Sequence, residues 1–342
     1  MLKRTQHYVK RFAPQLIAIG LSWLVIGLAG CEPSTEQYLI GQPARPYRLT
    51  LTLEPSQPRA GQEVRLTFRI TDGALGHAVA PLQILHERAL HTFIVSRDLS
   101  VFAHTHHEDF FPLTPQDLAA ATFHFPHTFP QAGEYMVVSE FTYKDRSWLK
   151  QFRFRVAGAE QSVSPQVQPD LVREKDFGPY HVTLRTSPDP PVAGHEVELV
   201  CEFSRNGSPV TDLGLYLGTE VHMASWRLDG EHFGHQHTYT PEMAAMMEMM
   251  RNHEQTAKMK AQMDAMMVQL MSGPAKQVYQ GPQIPVHHVF PTPGLYKLFF
   301  ETAPRGKRLV TDFIVQVVEY DEGVDTTIQA IVPPSHKEPT HE

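Results

Sequence analysis

The chain has 342 residues, with 30 Lys and Arg against 37 Asp and Glu and a formal net charge of −7 at pH 7. That mild acidity argues against a nucleic-acid partner. Length allows two ordinary domains, and the compositional anomaly is histidine, present twenty times.

The first eleven residues carry Lys3, Arg4, Lys10 and Arg11 and no acid, and an apolar run follows from Leu16 to Leu28. These are the charged and apolar parts of a secretory signal. The run is shorter than the roughly 20 residues that cross a bilayer as a helix. It ends in Leu28-Ala29-Gly30-Cys31, which resembles the bacterial lipobox. The resemblance implies a signal peptide over residues 1–30, lipid on Cys31 and a tether over 31–46. It places the chain outside the cytoplasm as a membrane-anchored lipoprotein on the periplasmic face, and Glu32 favours the outer membrane. With Cys31 acylated, only Cys201 remains and no intramolecular disulfide is possible. Cys201 lies in the alternating stretch Val197–Phe203 and reads as a core residue of a strand.

Self-similarity gives the organisation of the rest. Tyr47-Arg48-Leu49-Thr50-Leu51 matches Tyr180-His181-Val182-Thr183-Leu184, and Pro58–Val64 matches Pro191–Val197 at the same offset of 133. Further on, His127-Thr128-Phe129-Pro130 matches His288-Val289-Phe290-Pro291 at an offset of 161. The chain is therefore a tandem repeat whose second copy holds an insertion. Each copy reads as short alternating strands broken by Pro, Gly and Asp, which predicts an all-β chain of two immunoglobulin-like antiparallel sandwiches. The expected bounds are 47–157 for repeat one, 158–178 for a linker, 179–320 for repeat two with its helical insertion at 241–273, and 321–342 for a mobile tail.

Both repeats carry one motif at identical spacing: His91, Asp98, His104, His106 and His222, Asp229, His235, His237. Asp229-Gly230 is a two-residue hairpin signal. A turn centred there sets His222 opposite His237, and the same register sets His91 opposite His106. Opposed residues share a face, and strand alternation adds His104 and His235 to it. Each repeat thus presents three imidazoles on one hairpin, with Asp98 and Asp229 serving as turn residues. His127 and His288 are candidate fourth ligands, and His86 is an additional candidate in repeat one, where repeat two has Leu217. Neutral imidazole suits copper, zinc and nickel.

Pro81-Leu82, Leu85-His86-Glu87 and the run His91–His106 resemble the YtkA-like group of extracytoplasmic sandwich domains. The likeness covers about residues 47–157 and is weaker in repeat two, where the Leu-His-Glu element is missing. It implies a setting of heavy-metal handling, particularly copper.

Ten of the thirteen methionines fall between Met243 and Met271, among Glu, Ala, Lys and Gln. Thr240-Pro241-Glu242 opens this helical segment and Gly273-Pro274 closes it. Met243, Met246, Met247 and Met250 share one face. Met259, Met263, Met266, Met267 and Leu270 share another, and a bend near Asn252-His253 brings the two faces to one side. Methionine serves commonly as adaptable packing, but thioether sulfur also selects Cu(I), so Met243, Met246, Met247, Met250, Met263 and Met267 are candidate ligands.

The leading expectation is a non-enzymatic copper-binding lipoprotein, with zinc the alternative ion. It buffers the ion or passes it to a metal-accepting or metal-transporting protein of the envelope. The alternatives are a structural or interaction module of the envelope and a dismutase-like metalloenzyme. A blue-copper site is excluded for want of a cysteine beside the histidines, and hydrolase elbows, phosphate loops and dinucleotide fingerprints are absent.

Overall fold

The computed structural model describes residues 42–43, 47–159, 169–251, 256–329 and 331. Cys31 and the signal segment lie outside them. Repeat one is a sandwich of two sheets. Tyr47–Glu54, Glu63–Asp72 and Thr122–Thr128 form the first. The second runs in the order Gln42–Pro43, Arg146–Val156, Gly133–Tyr143, Leu90–Ser96 and Phe102–Thr105. Among the described strands, pairing is antiparallel except at Gln42–Pro43, which runs parallel to its neighbour, and isolated parallel bridges join Arg59 to Ala157 and Val192 to Val318.

Repeat two rebuilds this plan. Glu196–Arg205 pairs with Tyr180–Ser187 and with Gln283–Val289 in one sheet. In the other, Gly294–Pro304 lies between His222–Arg227 and Leu309–Val317, and Phe233–His237 is the edge beyond His222–Arg227. Both repeats close the strand-to-strand corner with a tyrosine hydroxyl donated to an upstream carbonyl, Tyr135 to Gln131 and Tyr296 to Thr292, a device typical of immunoglobulin-like sandwiches.

Period-two patterning explains the cores. Along Glu63–Asp72, Val64, Leu66, Phe68 and Ile70 are fully buried, while Glu63, Arg65 and Arg69 face solvent. Val197, Leu199, Cys201 and Phe203 do the same in repeat two. Cys201 is thus the core residue expected, and burial pushes its thiol up.

The hairpin strands break this pattern, because Leu90–Ser96 is buried on both faces. Leu90 and Ile94 pack into the core of repeat one. Phe93 and Val95 face the other way and join Leu99, Met136 and Val138 in a second apolar layer with Ala224, Trp226 and Phe299 of repeat two. Phe102 stacks on Phe299 at 4.3 Å between ring centres. The two sandwiches are therefore fused through their histidine-bearing sheets.

Two expected boundaries need correction. The segment 158–178 is not all linker, because Glu174–Phe177 is a strand paired with Tyr180–Ser187. Nor is 321–342 free from its start: the Gln329 amide donates to Ser187 Oγ at 2.8 Å and the Ile331 amide to Glu198 Oε2 at 2.5 Å. The insertion carries two helices, Pro241–Arg251 and Ala257–Ser272. The anticipated bend at 252–253 lies outside the described residues, yet Met243 and Met246 of the first helix pack with Met263, Met267 and Met271 of the second.

Candidate metal centre

The turns behave as the sequence implies. Asp98 Oδ1 accepts from the Ser100 amide at 3.2 Å, and Asp229 Oδ1 accepts from the Glu231 amide at 3.0 Å. The second hairpin pairs His222 with His237. In the first, Thr92 pairs with Thr105 and Phe93 with His104, the register that continues to His91 and His106.

His91, His104 and His106 bring one nitrogen each to a common point. His91 Nδ1 is 3.3 Å from His104 Nε2 and 3.2 Å from His106 Nε2, and the latter two atoms are 2.9 Å apart. The outer nitrogen of each ring has its own acceptor. His91 Nε2 donates to the Leu85 carbonyl at 3.2 Å, His106 Nδ1 to Asp109 Oδ2 at 3.0 Å, and His104 Nδ1 to Glu301 Oε2 at 2.5 Å. A neutral imidazole that donates from one nitrogen presents a lone pair at the other. Three lone pairs therefore converge, where a proton can bridge one pair and leave the third opposed. A cation at their centre satisfies all three, and their separations approach the ~3.3 Å edge of a tetrahedral donor set with bonds of about 2.0 Å.

Repeat two builds a second set. His222 Nε2 donates to the Tyr216 carbonyl at 3.0 Å, the position equivalent to Leu85, and His222 Nδ1 lies 3.5 Å from His235 Nε2. His235 Nδ1 contacts Glu140 Oε2 at 3.0 Å. One ring nitrogen from each of His222, His235 and His237 lies within 4.8 Å of the others, and so does one from each of His91, His104 and His235. The two sets are thus neighbours in the seam between the sandwiches.

Each central histidine is held by an acid of the opposite repeat: His104 by Glu301, His235 by Glu140. This reciprocity is what a two-fold dimer shows between subunits, here realised within one chain. Glu140 and Glu301 are equivalent at the offset of 161 and went unread in the sequence. The signal was available, since both are acids set at buried positions late in equivalent strands, Gly133–Tyr143 and Gly294–Pro304, next to Phe141 and Phe300. Such carboxylate–histidine pairs orient metal-bound imidazoles.

Burial governs the charges. It holds His91, His104, His222, His235 and His237 well below the usual imidazole pKa, and the neighbouring rings add to this. His106 is lowered too, against the pull of Asp109. The rings are therefore neutral, the form that ligates. Burial also pushes Glu140 up to about 8, and Glu301 to about 7 against the attraction of Arg308, which pairs with it at 2.5 Å. A divalent or monovalent cation among the rings supplies positive charge to these buried acids.

The repeats differ at the third histidine. His106 has Asp109, but neither ring nitrogen of His237 has a partner among the described residues. Thr240 stands where Asp109 would be. Instead His86, from repeat one, stacks on His237 with ring centres 3.9 Å apart. The extra candidate of repeat one therefore lies against the set of repeat two, outside its ligand group.

His127 and His288 do not join either set. Both lie at the ends of their strands on the inward parity: His127 follows Phe123 and Phe125, and His288 follows Ile284 and Val286. They face their own sandwich cores, whereas the histidine patch is on the outer face of its sheet. His288 Nε2 contacts Ser225 Oγ at 3.2 Å, and His127 packs edge-on against Phe129.

Among the methionines, Met243, Met246, Met263 and Met267 are buried with Leu85 and Tyr239, and Met247 is half-buried against them. The side chain of Met250 lies outside the described residues. The bland reading of methionine as packing thus accounts for much of the stripe. Met243 and Met246 also line a cleft of about 470 Å³ beside His86.

Comparison with known structures returns matches at low likeness. Alpha-2-macroglobulin of Escherichia coli is 11% identical, with a TM-score of 0.24, over 83% of this chain and 16% of that one. The E. coli adhesin FdeC is 13% identical, with a TM-score of 0.22, over 82% and 66%. Fibronectin(III)-like modules of Clostridium thermocellum CbhA are 10% identical, with a TM-score of 0.18, over 80% and 95%. The chain spans about a sixth of the macroglobulin. No curated protein matches it. A family model does match, twice, over residues 45–158 and 174–319, in agreement with the duplication. The chain belongs to the family described as a domain of unknown function, DUF8832.

Proposed function

We propose that the protein is an extracytoplasmic lipoprotein that binds copper in the seam between its two sandwiches, holding the ion for buffering or for transfer to another envelope protein. The observation that carries this reading is the convergence of His91 Nδ1, His104 Nε2 and His106 Nε2 within 3.3 Å, each ring donating its other nitrogen elsewhere. His222, His235 and His237 form the second, looser set. The donors are imidazoles with no thiolate, a set for which copper stands highest in the divalent series, with zinc the alternative ion. The resemblance of residues 47–157 to YtkA-like domains supports the same setting.

This reading is of a binding protein and not a catalyst. The histidines are buried, and the adjoining space of about 20 Å³, walled by His86, His91, His235 and His237, takes about one water. Catalytic metal sites keep a position open to substrate.

The test uses the full-length protein in detergent, without an affinity tag. His91→Ala combined with His106→Ala is expected to lower affinity at the first set by at least about 100-fold, with the β-sheet spectrum unchanged. Unchanged affinity and stoichiometry in a folded variant contradict the centre and leave the histidines as interface packing.

Anchoring through Cys31 is part of the same proposal. Mass spectrometry of the mature N-terminus is expected to find a diacylglyceryl cysteine at residue 31. A mature chain beginning elsewhere, or with unmodified Cys31, contradicts it.

A further inference from the structure

The methionine helices of repeat two do more than cover an apolar surface. Met243, Met246, Met266 and Met271 line the cleft of about 470 Å³, and His86 closes its inner end. Packing alone does not account for this arrangement. Met243, Met246, Met263, Met267 and Met271 all belong to the small core with Leu85, but Met243, Met246 and Met271 also line the cleft, where Met266 is 53% exposed. His86 and Met271 also line the smaller space beside His91, His235 and His237. They therefore form the wall between the cleft and the histidines. The His86 amide meets the Met271 carbonyl at 3.3 Å, while His86 Nε2 is buried without a partner among the described residues. On the far side of that ring lies His237, with both nitrogens equally unpartnered.

Nothing equivalent exists in repeat one. Its counterpart of the insertion is the short helix Pro115–Ala120, and the residue matching His86 in the other direction is Leu217. The first histidine set is locked by Asp109; the second has no such lock and adjoins the cleft.

We propose that the methionine insertion forms a Cu(I)-accepting antechamber, from which the ion passes through His86 to His237 and the second histidine set. The proposal rests on the copper reading given above. Thioether donors select Cu(I) among common metals, and imidazole accepts the same ion. The passage is ligand exchange: a Cu–S bond is replaced by a Cu–N bond, the ion stays Cu(I), and no electron or proton acceptor is required.

The test again uses the full-length protein in detergent, under anaerobic reducing conditions, with Cu(I) supplied as its bathocuproine disulfonate complex. One variant is His86→Leu, which copies the residue of repeat two. The other changes Met243, Met246, Met266 and Met271 to leucine, a nearly volume-conserving replacement. Zn(II) titration reads the histidine sets independently. Both variants are expected to keep the Zn(II) stoichiometry of the wild type while Cu(I) uptake slows at least tenfold. Uptake within twofold of the wild type overturns the proposal. If the quadruple variant does not fold, His86→Leu decides alone by the same criterion. Failure of the copper reading shows separately, as a wild-type protein whose histidines take neither Zn(II) nor Cu(I), and it overturns the antechamber with it.

Discussion

Glu301→Gln is expected to weaken metal binding at His91, His104 and His106, although Glu301 belongs to repeat two and those histidines to repeat one. Its Oε2 lies 2.5 Å from His104 Nδ1 and fixes which nitrogen of that ring faces its neighbours. Glutamine keeps the shape but removes the charge, and its amide end presents a donor in place of the acceptor. Loss of such an orienting acid costs 10–100-fold in affinity as a rule, so about that is expected here. Glu140→Gln should act the other way across the seam, on the set containing His235. The double variant lowers both. Arg308, left without its carboxylate, is 40% exposed and can turn to solvent. Site-resolved titration, following histidine resonances of each set, checks the crossing. An effect confined to the repeat that carries each mutation contradicts the reciprocal arrangement.

The sequence carried the hairpins well and the seam poorly. Asp229-Gly230 fixed the turn, and the period of two then placed His222 against His237 and His235 on the same face. That geometry is local, within sixteen residues, and the chain obeys it. What the pattern could not convey is which sheet face meets another domain. Leu90–Ser96 reads as a largely apolar strand with His91, Thr92 and Ser96, which equally describes a strand buried in its own sandwich. His127 and His288 read as candidate fourth ligands from their equivalent places in the two repeats, but their parity with Phe125 and Val286 turns them inward. Parity was legible, and applying it to those strands would have excluded both. Glu301 and Glu140 act over 197 and 95 residues of chain, so only their repetition at equivalent positions marked them. The methionine stripe was legible as a helix, but its contact with Leu85 and His86 depends on how the two repeats dock.

Trp226→Ala is expected to have the largest effect on stability. Trp226 is fully buried in the layer between the sandwiches, with ring centres 4.6 to 6.3 Å from Phe233, Phe299, Phe93 and Phe102. Large-to-small changes at such sites cost about 3–5 kcal/mol. Because Trp226 lies outside the cores of the individual sandwiches, the loss should fall on their docking. Denaturant unfolding is then expected to show an early transition of the seam, and metal affinity should fall at least tenfold at both histidine sets. Trp226→Phe is the control: the indole N–H has no acceptor among the described residues, so its removal leaves no new unsatisfied group. A stability loss in Trp226→Ala with metal affinity unchanged contradicts the dependence of the centre on the seam.

The central claim, that imidazoles of both repeats hold a metal between the sandwiches, is tested most directly by X-ray absorption on the full-length protein loaded with one equivalent of Zn(II) or Cu(II). The expected spectrum has a first shell of three or four nitrogen or oxygen donors at about 2.0 Å. Multiple scattering from at least three imidazole rings should accompany it, with no sulfur shell. An ion surrounded by oxygen donors without imidazole scattering, or a protein that retains no ion after desalting, contradicts the account.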